Sequence, residues 1–174
     1  MEIRALRDTD DRSAFRSTDP EIDRFFSLFA GQNQFRHHLG VSYVAVLNKR
    51  IIGFATVAAA HIEIDELPAA ARRKLPHYPL PVLRLARLGV DHSVQGQGVG
   101  LQLLHFVLGL AIGMARTYGC TGVIVDAKSA AVAFYSKYGF IPVDVVEGGS
   151  DARPASTPMF LSLNAITEAL GPRT

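Results

Sequence analysis

An α/β fold, a mixed sheet flanked by helices, is what this chain of 174 residues predicts. Three observations carry that expectation. Short β-rich runs alternate along the chain with amphipathic runs of helical period. Hydrophobic residues make up 48% of the sequence and charged residues 20%, enough apolar material to bury a substantial core. The run "CTGVIVDA" is apolar nearly throughout, as in a strand covered on both faces. At this length one domain, 1–174, is expected.

Glu2 to Leu6 reads as the first strand. Asp19 then caps a helical stretch in two pieces, with Pro20 in its first turn, and Ile22, Phe25, Phe26 and Phe29 share a face. Val41 to Leu47 and Ile51 to Ala59 form a hairpin across Asn48-Lys49-Arg50. His61 to Ile64 reads as a further strand. A loop with Pro68, Pro76, Pro79 and Pro81 follows and holds one short helix, Ala69 to Lys74. In the strand Val82 to Asp91, alternation places Leu83, Leu85, Arg87 and Gly89 on one side. Arg84, Ala86, Leu88 and Val90 take the other.

A helix from about Gly98 to Tyr118 carries a stripe of Leu101, Leu104, Leu108, Ala111, Ile112 and Ala115, and Gly119 ends it. After the strand "CTGVIVDA", Ser129 caps a helix to about Tyr138, which Gly139 ends. Phe140 to Val146 and Met159 to Leu163 are the last strands. No internal repeat or low-complexity tract interrupts the series.

The net charge of +2 does not by itself mark a nucleic-acid-binding protein. Its distribution is more pointed. Arg72, Arg73, Lys74, Arg84 and Arg87 are five bases in a stretch without an acid, a set suited to phosphates that Arg36, His37 and His38 could extend. An ordinary solvated helix face also accounts for Arg72 to Lys74. The single Cys120 excludes an internal disulfide and a thiolate zinc cluster, and fits a reducing cytoplasm. The six histidines are dispersed, so no metal site is expected. "MEIRALRDTDD" lacks the apolar core of a signal peptide. No run is expected to span a membrane, since Gln102 and His105 interrupt the closest, Val99 to Ala115, short of the about 18 residues required.

"VDHSVQGQGVG", Val90 to Gly100, joins a strand end to a helix start and places three glycines in five positions. A helix N-terminus carries unpaired N–H groups and a partial positive charge. Glycines let a phosphate approach those donors and permit positive φ. A nucleotide-hydrolysing P-loop needs Lys followed by Ser or Thr, and Val99-Gly100-Leu101 offers neither. The dinucleotide pattern G-x-G-x-x-G fails on spacing.

Gln95-Gly96-Gln97-Gly98-Val99-Gly100 resembles the Q/R-x-x-G-x-G/A acyl-CoA signature of the GNAT superfamily of N-acetyltransferases. "LARLGVD" precedes it, and "AFYSKYGF", Ala133 to Phe140, follows like that family's second CoA-side motif. The segments "LPHYPLPVLRLARLGVDHSVQGQGVG" and "VDAKSAAVAFYSKYGF", with "FFSLFAGQNQ" and "SYVAV" upstream, are similar to the acetyltransferase toxins of type II toxin–antitoxin modules.

The resemblance implies a GNAT fold, a mostly antiparallel central sheet splayed between its two middle strands. It implies acetyl-CoA as cosubstrate, with Leu88, Gly89 and Val90 along the pantetheine and Gln95, Gly96, Gln97, Gly98, Val99 and Gly100 around the pyrophosphate. Phe134 and Tyr135 complete the cofactor set, Phe134 chiefly as core packing. The Val90 N–H would polarise the thioester carbonyl. Tyr135, with an ordinary tyrosine pKa of about 10, would protonate the leaving thiolate. Tyr138 is the weaker candidate, and a helix tyrosine with its hydroxyl in water is the competing reading of Tyr135. Glu63 leads the possible bases, ahead of His61, Asp65 and Glu66, but none is assigned, because an aminoacyl ester amine already has a lowered pKa.

The acceptor so implied is the α-amine of aminoacyl-tRNA, with Arg72, Arg73, Lys74, Arg84 and Arg87 on its phosphates. A ribbon-helix-helix antitoxin would be the partner, and a homodimer is compatible with the resemblance. Two other functions stay open: a GNAT enzyme for a small-molecule or protein amine, and a catalytically silent CoA-binding module. The former should carry carboxylates at its rim in place of Arg84 and Arg87.

Overall fold

The computed structural model describes residues 1–63, 69–72, 79–143 and 156–171. Its elements are β1 (Glu2–Ala5), α1 (Pro20–Arg24), a π-helical turn (Phe25–Phe29), α2 (Ala30–Phe35), β2 (Val41–Leu47), β3 (Arg50–Ile62) and α3 (Ala69–Arg72). β4 (Leu80–Val90), α4 (Val99–Thr117), β5 (Gly122–Lys128), α5 (Val132–Lys137), β6 (Ile141–Pro142), β7 (Ser156–Ser162) and α6 (Leu163–Leu170) follow. The strands form a seven-stranded sheet of order β1-β2-β3-β4-β5-β7-β6, with β4 fourth. The pairs β1/β2, β2/β3, β5/β7 and β6/β7 are antiparallel. The mixed α/β class read from the sequence is therefore the one observed.

The chain divides into two compact units, Met1–Ala58 with Leu85–Gly109, and Ala59–Arg84 with Leu110–Thr174. In the first, four phenylalanines make the centre of the core. Phe26 stacks on Phe54 with ring centroids 4.1 Å apart. Phe15 stands edge-on to both, at 5.0 and 5.5 Å, an arrangement the ring quadrupoles favour. Gly89 of β4 faces this cluster. A Cβ there would lie 2.7 Å from Ile22 and 2.9 Å from Phe54, so only glycine lets the strand pass.

The helical period places Phe29 with Phe25 and Phe26, but the structure exposes it by 37%. The cause is the π-turn over these residues, which winds wider than an α-helix and rotates Phe29 off the buried face. The β2–β3 turn is tighter than expected. Asn48 and Lys49 both take positive φ, 49° and 65°, as a two-residue I′ hairpin requires, and Arg50 already belongs to β3. β3 also runs unbroken to Ile62, so the separate strand read at His61 to Ile64 is its continuation; residue 64 lies outside the described residues. Opposite one another on β2 and β3, the buried Ser42 and Thr56 hydroxyls bond at 2.6 Å. Unpaired, each would cost roughly 1–3 kcal/mol.

The buried face of α4 is Val99, Leu103, Leu104, Val107, Leu108 and Ala111, while Leu101, Ile112 and Ala115 lie on its shoulders. Val99 and Leu103 pack where Gly53 lacks a side chain; a Cβ there would lie 3.0 and 2.9 Å from them. α4 corrects one expectation. With 19 residues and a mean hydropathy of 1.5, it is long and apolar enough to cross a membrane, Gln102 and His105 notwithstanding. The core helix of an α/β fold has the same length and composition.

In the second unit, Ile62, Leu80, Val82, Ile124, Val143 and Phe160 pack together. A Cβ on Gly122 would fall 2.6 Å from the Phe160 ring, so glycine is required where β5 meets β7. Ser129 does not cap the following helix. It opens a 3₁₀ turn, Ser129–Ala131, and the N-cap of α5 is Ala131, with no side-chain bond. Gly119 and Gly139 end α4 and α5 at φ 98° and 91°, as expected. β6 is shorter than Phe140 to Val146, whose last three residues lie outside the described residues. β7 ends at Ser162, one residue before the expected Leu163, and the Ser162 hydroxyl accepts from the Ala165 N–H at 3.2 Å and caps α6, a helix not among those expected from the sequence.

Candidate active site

β4 ends at Leu88, Gly89 and Val90, half-buried, buried and half-buried in turn. Asp91 follows, and its side chain is wholly buried. Its Oδ1 accepts from the Ser93 hydroxyl at 2.6 Å, the Ser93 N–H at 3.1 Å and the Arg50 guanidinium at 2.8 Å. Its Oδ2 accepts from the Arg16 N–H at 3.1 Å. Burial alone would push this carboxyl's pKa up; the Ser93 and Arg16 donors with the Arg50 charge outweigh it and hold the group at about 2. Nothing in the sequence pointed to burial here. The only local signal is Asp two residues before Ser at a strand end, the pattern of an Asx turn.

A 3₁₀ turn, His92–Val94, carries the chain into the glycine loop, where the Gln97 N–H bonds Val94 O at 3.3 Å. The Gln95 amide donates to Val90 O at 3.1 Å, latching the loop onto the strand that precedes it. Gly96 and Gly98 have φ of 76° and 85°, which side chains rarely adopt. A Cβ on either would meet nothing within 4 Å, so the space beside the loop is open. At Gly100 φ makes no such demand, and a Cβ would only touch Val90 at 3.5 Å, an ordinary contact. The protein's own packing thus explains Gly89 and its backbone explains Gly96 and Gly98, but neither explains Gly100.

The first helical bond of α4 runs from the Gln102 N–H to Gly98 O at 3.1 Å. The N–H groups of Val99, Gly100 and Leu101 precede it, and the first turn carries no acid. Such a junction can hold an anion through backbone donors and the helix dipole.

Tyr135 lies in α5 of the second unit and is 4% exposed. Its ring packs edge-on against Phe134 and Phe140, centroids 5.2 and 5.3 Å away. It is therefore not the unperturbed tyrosine assumed from sequence: burial raises its pKa, so the phenol stays protonated well above neutral pH. Phe134 and Tyr138, both half-buried, pack edge-on at 5.2 Å, and Lys137 Nζ sits 5.7 Å from the Tyr138 ring centroid.

The basic residues have diverse settings. Arg84 pairs with Asp126 on the neighbouring strand at 2.8 Å. Arg87 lies over the Phe25 ring at 4.4 Å and donates to Ala86 O at 3.2 Å. Arg72 is half-buried in α3, whereas Arg73 and Lys74 lie outside the described residues. Arg87 also borders a cleft of about 130 Å³ with Phe25, Leu39, Ser42, Thr56 and Ala86, a second feature the sequence did not reveal. His61 and Glu63 are exposed near the end of β3; Asp65 and Glu66 lie outside the described residues.

A protein-family model described as an acetyltransferase (GNAT) domain matches residues 38–142, from before β2 through α5 and β6. The chain belongs to the GNAT acetyltransferases. It is an acetyl-CoA-dependent N-acetyltransferase, and the glycine loop is the feature of this GNAT domain that its sequence announced. Among its relatives is the tRNA-acetylating toxin of Mycobacterium tuberculosis, 33% identical over 140 residues that cover 79% of this chain and 82% of that one. A crystal structure of a tyrosine-to-phenylalanine mutant of KacT superposes with a TM-score of 0.82 at 27% identity, covering 98% of each chain. The structure of AtaTR bound with AcCoA gives 0.79 at 25% identity, again over 98% of each chain.

Proposed function

We propose that this GNAT domain, 1–174, acetylates the α-amine of aminoacyl-tRNA in the cytoplasm and so blocks translation as a toxin, held in check by a ribbon-helix-helix antitoxin. The observation that carries the cofactor half is Gly100, a glycine that neither packing nor φ requires in a helix first turn. A diphosphate seated on the amides of residues 98–101 supplies the missing reason. The acceptor half draws support from the 33% identity to a tRNA-acetylating toxin.

Acetyl-CoA brings an activated acyl group as its thioester. In this reading residues 95–100 grip its diphosphate, while Leu88, Gly89 and Val90 lie along its pantetheine. The Val90 N–H donates to the thioester oxygen and stabilises the charge that develops there. The α-amine attacks the carbonyl carbon, the C–S bond breaks, and the Tyr135 hydroxyl donates its proton to the departing sulfur. Water takes the proton that the amine gives up, since an aminoacyl ester amine is a weak base. Phe134 and Phe140 keep the Tyr135 ring in place. Arg87, beside its cleft, holds the acceptor, and Arg72, Arg73 and Lys74 meet tRNA phosphates. Asp126 already neutralises Arg84, so its share in phosphate binding is the smallest of the five.

Incubation with labelled acetyl-CoA and total charged tRNA, beside the same tRNA deacylated, tests this reading. Label should appear only in the charged pool. Label in neither pool, with acetylation of free amines, would sink the tRNA assignment.

A further inference from the structure

The best-bonded carboxylate of the first unit has no part in that chemistry. Asp91 stands between Val90 and the glycine loop, fully buried, and collects donors from three parts of the chain: the Arg16 N–H, the Arg50 guanidinium, and both Ser93 donors. Its own N–H bonds Ile52 O at 2.9 Å, and its carbonyl accepts from the Val94 N–H at 3.0 Å. The His92 N–H reaches Arg16 O at 2.8 Å, so the turn is tied to the N-terminal segment twice. Every residue through which β4 passes into residues 95–100 is thereby anchored to this one side chain or its neighbours.

We propose that Asp91 is a positioning residue: its carboxylate fixes where the loop amides point, and so sets the affinity for acetyl-CoA without entering acyl transfer. The inference rests on the cofactor reading above. The alternative, a direct electrostatic effect, has the opposite sign. A negative charge repels a diphosphate, so removing it would tighten binding if charge were what mattered. Positioning demands the reverse, because an amide in place of the carboxylate turns an NH₂ toward the Arg16, Arg50 or Ser93 donors and loosens the turn.

Asp91→Asn should raise the calorimetric Kd for acetyl-CoA by about tenfold or more, the worth of a charge-assisted hydrogen bond. It should leave kcat at saturating acetyl-CoA little changed, and speed amide exchange of residues 92–100 in the ligand-free protein. An unchanged or lower Kd in the folded variant, or a fall in kcat alone, overturns the proposal. Should Asp91→Asn fail to fold, Ser93→Ala and Arg50→Ala remove single donors. Both should raise Kd, with Arg50→Lys restoring most of the loss after Arg50→Ala; unchanged Kd in both overturns it equally. If the wild-type protein does not bind acetyl-CoA, the cofactor reading falls by itself. Loop exchange then decides separately, and exchange unaltered by Asp91→Asn rules out the positioning role.

Discussion

One side chain and one missing side chain test the proposed chemistry at the scale of single residues. Burial of the Tyr135 ring raises its pKa, so the phenol is protonated at neutral pH and is a weaker acid than a solvated tyrosine. Tyr135→Phe removes one oxygen and leaves the packing on Phe134 and Phe140 intact. Its kcat should fall by more than about tenfold, with the acetyl-CoA KM little altered. Near-full kcat in steady-state assays would remove the tyrosine from the mechanism. Gly100→Ala separates fold from function more sharply. The protein has room for the methyl group, 3.5 Å from Val90, and alanine favours a helix over glycine by about 1 kcal/mol. The thermal midpoint should therefore hold or rise while the acetyl-CoA KM climbs. A variant that is equally stable and binds normally would leave Gly100 without a ligand to explain it.

Elements are settled by their ends. The β2–β3 hairpin is tight because Asn48 and Lys49 accept positive φ, and the turn signal was visible in the sequence. α6 was just as visible in principle. Ser162 stands three residues before Ala165, and Gly171 closes the helix at φ 71°. The β-rich run of β7 ahead of it drew Leu163 into the strand instead. Ser162→Ala should lower stability by about 1 kcal/mol in urea unfolding, the usual worth of an N-cap hydroxyl. No loss would mean that packing of Ile166, not the cap, holds this helix. The π-turn at Phe25–Phe29 lay beyond any such reading, since its one-residue shift follows from what the rings pack against.

Across the whole molecule, the pH dependence of stability reports buried carboxylates. Asp91 sits near 2 when folded and near the ordinary value of about 3.9 when unfolded. A depressed folded pKa means that its contribution is complete above about pH 4 and disappears as pH falls toward 2. The difference corresponds to roughly 2–3 kcal/mol. Asp10 acts in the same direction, since the Arg4 guanidinium grips it through two 2.8 Å bonds and outweighs its desolvation. Thermal midpoints measured from pH 5 to 2 should fall steeply for the wild type and less so for Asp91→Asn. Parallel curves would show that Asp91 does not set the acid limb.

Most of the element order and the glycine loop are legible in the residues alone, because each depends on neighbours within a turn or two, and the motifs around that loop carry the family. The exceptions are β3, which continues through Ile62, and α6, which follows β7. Alternation along β4, positive φ at Gly98 and the caps at Gly119 and Gly139 are local demands, and local residues answer them. What a side chain meets across the sheet was decided only by the tertiary structure. Arg84, read as a free phosphate ligand, is taken by Asp126 42 positions away. Gly89, read as a cofactor contact, is a glycine because Phe54 and Ile22 leave no room for more. Asp91 acquires its weight from Arg16 and Arg50, 75 and 41 residues distant. Strand register and aromatic packing bring such partners together, and neither is written in the residues that flank them.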